Sequence, residues 1–167
     1  SLAVGGCAQK IMSTVARDRE QAAAAFLAGM LHDIGKLILA VNFSDAYRAL
    51  LKGVPEASGE RLAKEREMIG TTHAEIGAYL MGLWGMEPSI LMAIAFHHTP
   101  LESRETVVGP LTAVHLANGF GHGLRPPREG GNSMAEDVDA GYIAALGANG
   151  KVDRGRQICL DRDGDAP

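Results

Sequence analysis

Residues 25–37 have the sequence AFLAGMLHDIGKL, and this stretch decides the expected fold. Its first half consists of alanine, leucine, methionine, phenylalanine and one glycine at helical rather than alternating spacing. The pair His32 and Asp33 interrupts the apolar run. Gly35 allows the chain to bend and to approach a neighbour closely before a second apolar segment continues. We therefore expect two consecutive helices that are joined at a histidine–aspartate pair.

The rest of the chain shows the same helical periodicity, interrupted by glycine and proline. Thr72 followed by Glu75 fits a capping box at the start of a helix, and Pro88 suits the first turn of the next helix. The predicted helices cover residues 2–15, 20–30, 37–41, 45–51, 60–68, 73–84, 88–97, 111–120, 136–146 and 151–160. We predict an all-α single compact domain whose core includes Trp84 and the methionines at 30, 68, 81, 86 and 92.

Length and composition limit the classes of protein that fit. The chain has 167 residues, 46% of them hydrophobic, which suits one domain with a sizeable core. A net charge of -4 argues against nucleic acid as the main partner, and no apolar run approaches the length of a membrane span. Cys7 and Cys159 are too few for a disulfide framework, so we expect inert thiols in a cytoplasmic protein.

We expect a helical domain over residues 1–146, followed by a C-terminal helix and charged tail over 147–167. Residues 121–133 are rich in glycine, proline and arginine, which predicts a mobile loop containing a solvated His122. The chain begins at Ser1 with neither a methionine nor the basic start of a signal peptide, so we expect an N-terminally truncated fragment.

Histidine is the residue type that points to chemistry. Five of the six histidines lie at predicted helix ends or faces: His32, His73, His97, His98 and His115. Together with Asp33 they offer imidazole and carboxylate ligands, which zinc, iron and manganese accept. Each histidine alone is more often structural, and we favour a buried structural role for His115.

Residues 25–37 resemble the signature of the HD superfamily of metal-dependent phosphohydrolases. The segments THAEIGAYL at 72–80 and AIAFHHTP at 93–100 resemble one branch, HDOD, the HD-related output domain of bacterial signalling proteins. The resemblance covers roughly residues 1–146 and implies an HD-superfamily helical fold. In the related HD-GYP phosphodiesterases the matching positions hold metal or phosphate. The resemblance thereby implies metal ligands at His32, Asp33, His73, His97 and His98, and a phosphate contact at Lys36.

Three departures from the HD-GYP pattern argue against catalysis. The first ligand histidine would precede Ser1. Asn118 stands at the position of the last ligand, an aspartate in active members, and a neutral amide binds metal more weakly than a carboxylate. Thr99 and Pro100 follow the histidine doublet in place of the acidic and Gly-Tyr-Pro elements.

We therefore predict a non-catalytic bacterial output module that relays input from a sensor or receiver domain to other signalling domains or proteins, with a homodimer as one arrangement. The alternative is a metal-dependent phosphohydrolase for a nucleotide or cyclic dinucleotide, in which Asp33 bridges two ions and Lys36 stabilises developing charge. In a third alternative, one divalent ion (iron, manganese or zinc) links the helices structurally and takes part in no chemistry. A histidine immediately before Ser1 in the full gene would favour the enzyme.

Overall fold

The computed structural model describes residues 1–16, 18–53, 60–123 and 138–160. These residues form helices and no strand, which confirms the predicted all-α class. The α-helices are α1 (Leu2–Val15), α2 (Arg19–Leu31), α3 (Ile34–Asn42), α4 (Ser44–Gly53), α5 (Glu60–Ile69), α6 (His73–Leu83), α7 (Pro88–Phe96), α8 (Pro110–Gly123), α9 (Ala140–Ala145) and α10 (Asn149–Leu160). A short 3₁₀ helix at Pro100–Ser103 follows α7 and was not predicted.

The main core lies where α1, α2, α7 and α8 meet, and α10 packs against α1 and α8. Small residues allow these helices to approach closely. A Cβ atom added at Gly29 would come within 2.8 Å of the Cα atom of Gly5, so the α1–α2 crossing excludes any side chain there. The buried residues of the main core include Ala8, Met12, Ala25, Ala28, Met81, Ile94, Leu111, Val114, Leu116, Phe120, Tyr142 and Ile143.

The crossing of α3 and α6 positions the candidate site. A Cβ atom added at Gly35 would overlap the main-chain carbonyl oxygen of His73, and one added at Gly77 would lie 3.2 Å from the main-chain nitrogen of Gly35. Glycine is therefore required at the start of α3 for the two helices to touch, as the sequence indicated. This contact holds the junction between α2 and α3 against the first turn of α6. A smaller apolar cluster of Leu39, Tyr47 and Leu50 packs against Ile69 of α5 and Ile76 of α6.

Two predictions about the core are wrong. Trp84 caps α6 and is 67% exposed, because α6 ends at Leu83 and Gly85 turns the chain away with a φ of 74°. Met68 is also exposed, whereas Met81 is fully buried as expected. Methionines 30, 86 and 92 are partly buried.

The prediction of two inert thiols is also wrong. Cys7 of α1 and Cys159 of α10 form a disulfide, with Cα atoms 5.3 Å apart. The two cysteines are separated by 152 positions, so no local spacing pattern announced the pair. The disulfide ties the C-terminal helix to the first helix of the chain. The predicted division of the chain at residue 146 stays a prediction.

The predicted start of the loop over residues 121–133 is wrong. α8 continues through Gly123, so His122 belongs to a helix rather than a loop. The remainder of the predicted loop, residues 124–133, lies outside the described residues, as do the start of the predicted helix over 136–146 and the tail after residue 160. The predicted mobility of the loop stays a prediction.

One segment meets the length and composition of a membrane span. Arg19–Asn42 is 24 residues long with a mean hydropathy of 1.6 over its most apolar window. The segment comprises α2 and α3, which are separated by His32 and Asp33. α2 packs against α1, α7 and α8, and α3 packs against α6. The break between the two helices places two polar side chains at the middle of the segment.

Candidate metal centre

The five predicted metal ligands lie together at four helix ends. His32 and Asp33 join α2 to α3, His73 opens α6, and His97 and His98 follow α7. Ligand atoms of Asp33, His73, His97 and His98 all lie within 4.8 Å of one another. His32 borders this group, with its Nε2 atom 3.3 Å from Oδ2 of Asp33. This grouping of imidazoles and one carboxylate can hold a divalent metal ion. The assignment of individual ligands stays a prediction.

The His97 ring is fixed by its own helix. Nδ1 donates to the carbonyl oxygen of Ile94 at 2.8 Å, which leaves Nε2 as the lone-pair nitrogen of a neutral ring. That Nε2 atom is buried and has no hydrogen-bond partner among the described residues. His32 is held in the same way, because its Nδ1 donates to the carbonyl oxygen of Gly29 at 2.7 Å. Main-chain carbonyls thus orient two of the rings.

The His73 ring is held by a carboxylate that the sequence analysis missed. Oε2 of Glu65 accepts from the main-chain nitrogen of His73 at 2.8 Å and lies 2.7 Å from its Nδ1. On the other side of the ring, Nε2 lies 3.2 Å from Nε2 of His98 and 3.6 Å from Oδ1 of Asp33. The Glu65 side chain is 0% exposed. Histidine metal ligands commonly donate their second nitrogen to such a carboxylate.

A sequence signal for Glu65 did exist. Arg61, Glu65 and Ile69 are spaced four residues apart and therefore share one face of α5. Ile69 packs against the small apolar cluster, so the charged residues on its face are directed inward as well. The charged residues of α5 instead indicated an exposed helix, because arginine and glutamate are seldom fully buried. Both are buried here.

Asp33 is negatively charged over the whole ordinary pH range. Burial would raise its pKa, but the hydrogen bond and charge of His32, together with the cation of Lys36, hold the pKa of this carboxyl well below its usual range. Nζ of Lys36 lies 2.8 Å from Oδ1 of Asp33. The Asp33 side chain is 25% exposed, so the centre opens toward solvent on this side.

The histidine doublet is neutral at pH 7. Burial lowers the pKa of His98 to about 3, with a further contribution from the adjacent His73. Burial likewise lowers the pKa of His97 well below its usual value, and the charges of the neighbouring histidines add to this. A neutral imidazole is the form that binds a metal ion, so the environment favours ligand-competent rings.

His115 is structural, as favoured from the sequence. Its Nδ1 donates to the carbonyl oxygen of His97 at 2.7 Å, and its Nε2 accepts from the main-chain nitrogen of Asp139 at 2.8 Å. Both ring nitrogens are engaged, so His115 holds the end of α7 against the start of α9. Asn118 lies on the same helix, α8, and is also buried. Its predicted place as a weak last ligand stays a prediction.

Comparisons with known proteins agree with this fold. The chain is similar in structure to a protein from Shewanella amazonensis SB2B that is provisionally described as a phosphohydrolase, with a TM-score of 0.62 and 20% identity. The alignment covers 95% of this chain and 61% of the other, and at this identity it shows the fold alone. None of the curated proteins matches the chain. The sequence model of the HDOD domain matches residues 1–100, more than half of the chain, and the protein therefore belongs to the HDOD family.

Proposed function

We propose that this chain is a regulatory output module of a bacterial signalling protein, and that its His–Asp centre holds one divalent metal ion without catalysing hydrolysis. The observation that supports this is the compact ligand set of Asp33, His73, His97 and His98, whose ligand atoms lie within 4.8 Å of one another. Four such ligands suit one ion of zinc, iron or manganese.

The residues fit such an ion. The buried Nε2 atom of His97 has no hydrogen-bond partner among the described residues, an arrangement that costs about 1–3 kcal/mol unless a ligand satisfies it. The Nε2 atoms of His73 and His98 face each other at 3.2 Å, as two lone pairs converging on one ion would. When bound, a divalent ion would supply Lewis acidity and acidify a coordinated water.

The charge of the ligand set favours regulation over hydrolysis. Asp33 is the one carboxylate among the four ligands, and Lys36 already pairs with its Oδ1 atom. Two-ion hydrolysis needs carboxylates that bridge and neutralise both ions, whereas Asn118 offers a neutral amide at the position that resembles the last ligand. The side chains of this centre would therefore bind and orient one ion and hold the ends of α2, α6 and α7 together.

A relay role also needs a surface for a partner domain. Apolar side chains project into solvent from α3 and the end of α6, among them Leu37, Val41, Leu83 and Trp84. We propose that other signalling domains or a second copy of the chain bind such surfaces in the cytoplasm. Asp33 is the N-cap residue of α3, so a change in the metal centre would reach Leu37 and Val41 through one helix.

The alternative function is a metal-dependent phosphohydrolase acting on a nucleotide or cyclic dinucleotide. One observation favours it: Lys36 lies beside Asp33 at the more open side of the centre, where a cation suits a phosphate oxygen. The similar protein from Shewanella amazonensis carries a phosphohydrolase description. In this case Asp33 would bind metal and Lys36 would bind phosphate.

Metal analysis of the full-length protein, combined with hydrolysis assays, separates the two functions. We expect about one ion of iron, manganese or zinc per chain, which is lost in Asp33→Ala. We also expect no turnover of cyclic dinucleotides or nucleoside phosphates with added manganese or iron. Metal-dependent turnover that disappears in Asp33→Ala would overturn the regulatory proposal and establish the phosphohydrolase.

A further inference from the structure

Two of the central histidines are oriented by different kinds of acceptor. Nδ1 of His97 donates to a main-chain carbonyl three residues earlier in its own helix. Nδ1 of His73 instead faces the side chain of Glu65, which belongs to a different helix, α5. A main-chain carbonyl is present whatever the sequence, whereas a carboxylate can be removed by one substitution. The orientation of His73 therefore depends on Glu65 in a way that can be tested.

The contact between Glu65 and His73 has two points of attachment. Oε2 of Glu65 accepts from the main-chain nitrogen of His73 and from Nδ1, at 2.8 and 2.7 Å, and Oε1 lies 3.0 Å from the same Nδ1. One bond fixes the start of α6, and the other fixes the rotation of the ring. A fully buried carboxylate accepts only, and such charge-assisted hydrogen bonds are strong.

We propose that Glu65 is a positioning residue that holds the proton of His73 on Nδ1, so that Nε2, the nitrogen directed at Asp33 and His98, carries the lone pair. The consequence for metal affinity rests on the proposed metal centre, whereas the position of the proton is a property of the chain alone. The proposal gives α5 a role in the site although none of its residues is among the converging ligands.

The surroundings of Glu65 fit this role. Arg61, one turn earlier on α5, is buried and forms a hydrogen bond with Tyr47. Burial and the charge of Glu65 raise the pKa of Tyr47 to about 12, so this hydroxyl keeps its proton. α5 therefore buries a cation, a carboxylate and a neighbouring hydroxyl together. Such a buried network specifies one arrangement, because each group loses its partner if another moves.

Glu65→Gln and Glu65→Ala test the proposal, with Glu75→Gln as the matched control. Glu75 lies two residues after His73 and accepts from the main-chain nitrogen of Thr72, but it is part of the helix cap rather than the ring contact. Glutamine at position 65 keeps the volume and places an NH₂ group where a carboxylate oxygen accepts. That donor favours an unprotonated Nδ1 and moves the proton of His73 to Nε2.

The first measurement is the tautomer of His73 in chelator-treated protein at pH 8, from long-range ¹H–¹⁵N NMR spectra of the imidazole nitrogens. We expect the Nδ1–H tautomer in the unmodified chain and in Glu75→Gln, and a substantial Nε2–H population in Glu65→Gln. The second measurement is zinc affinity by chelator competition. We expect a loss of about 10- to 100-fold in both Glu65 variants and a change of less than about twofold in Glu75→Gln.

A folded Glu65→Gln variant that keeps the Nδ1–H tautomer and the original zinc affinity would overturn the proposal, as would the Nε2–H tautomer in the unmodified chain. If Glu65→Ala fails to fold, the isosteric glutamine variant decides. If the unmodified chain does not bind zinc, iron or manganese but the tautomer still follows Glu65, the proposed metal function fails and the positioning role stands.

Discussion

Two regions of the molecule bury opposite kinds of side chain. The apolar region, formed by α1, α2 and α10, buries alanine, isoleucine and methionine side chains and is closed by the disulfide between Cys7 and Cys159. The site region, formed by the α2–α3 junction, α5, the start of α6 and the end of α7, buries Glu65, His73 and His97. Hydrocarbon packing needs volume, whereas each buried polar group needs a specific partner. Substitutions in the first region should change stability alone, and those in the second should also change metal binding.

The largest expected effect concerns the disulfide of the apolar region. We expect Cys7→Ser to lower the free energy of unfolding by on the order of 4 kcal/mol, because the bond closes a very long loop in the unfolded chain. Zinc affinity should stay unchanged. Urea denaturation with and without reductant measures the loss, and reductant should have no effect on the variant. Two free thiols in the native protein under oxidising conditions would contradict this prediction.

The next effect concerns the crossing of α3 and α6 in the site region. We expect Gly35→Ala to destabilise the fold by about 3 kcal/mol, because its Cβ atom overlaps the His73 carbonyl and forces the helices apart. Zinc affinity should fall with it, since Asp33 and His73 lie on either side of this contact. Gly6→Ala is the control: no atom lies within 4 Å of its Cβ position, so stability should hold or rise slightly. Equal stability of the two variants would show that the crossing tolerates a side chain.

The difference between the regions also explains what the sequence could predict. The bounds of α6 followed from local chemistry: Thr72 accepts from the main-chain nitrogen of Glu75, and Glu75 accepts from that of Thr72, as the capping box implied. The convergence of the histidines needed the family resemblance, because no local pattern brings α2, α6 and α7 together. Glu65 stayed hidden because its burial depends on how α5 packs in three dimensions, and the Cys7–Cys159 bond stayed hidden because it joins α1 to α10, which are far apart along the chain.

A further effect is a pH dependence confined to the site region. Because burial lowers the pKa values of His97 and His98, the unfolded chain binds protons at these residues before the folded chain does. Stability is therefore complete above the ordinary histidine pKa of 6.5 and falls as the pH drops toward the folded value of about 3 for His98. Each histidine contributes a slope of up to about 1.4 kcal/mol per pH unit. Urea denaturation of chelator-treated protein between pH 7 and pH 4 measures it, and His98→Gln should have a shallower slope. A flat profile would contradict the burial of neutral rings.

The smallest effect compares one helix cap from each region. Asp18 caps α2, where its Oδ1 atom accepts from the main-chain nitrogen of Glu20 at 2.9 Å, and Thr72 caps α6. We expect Asp18→Ala and Thr72→Ala to cost about 1 kcal/mol each in the free energy of unfolding, since each loses a hydrogen bond to a helix start.

Only Thr72→Ala should also weaken zinc binding, by about threefold, because His73 is the first residue of α6 and its ring moves when that turn frays. Urea denaturation and chelator competition on the same preparations measure both quantities. Equal zinc affinities in the two cap variants, at equal losses of stability, would show that Glu65 holds His73 in place without help from the helix cap. That result would mean that one buried carboxylate, Glu65, sets the orientation of His73 for metal binding.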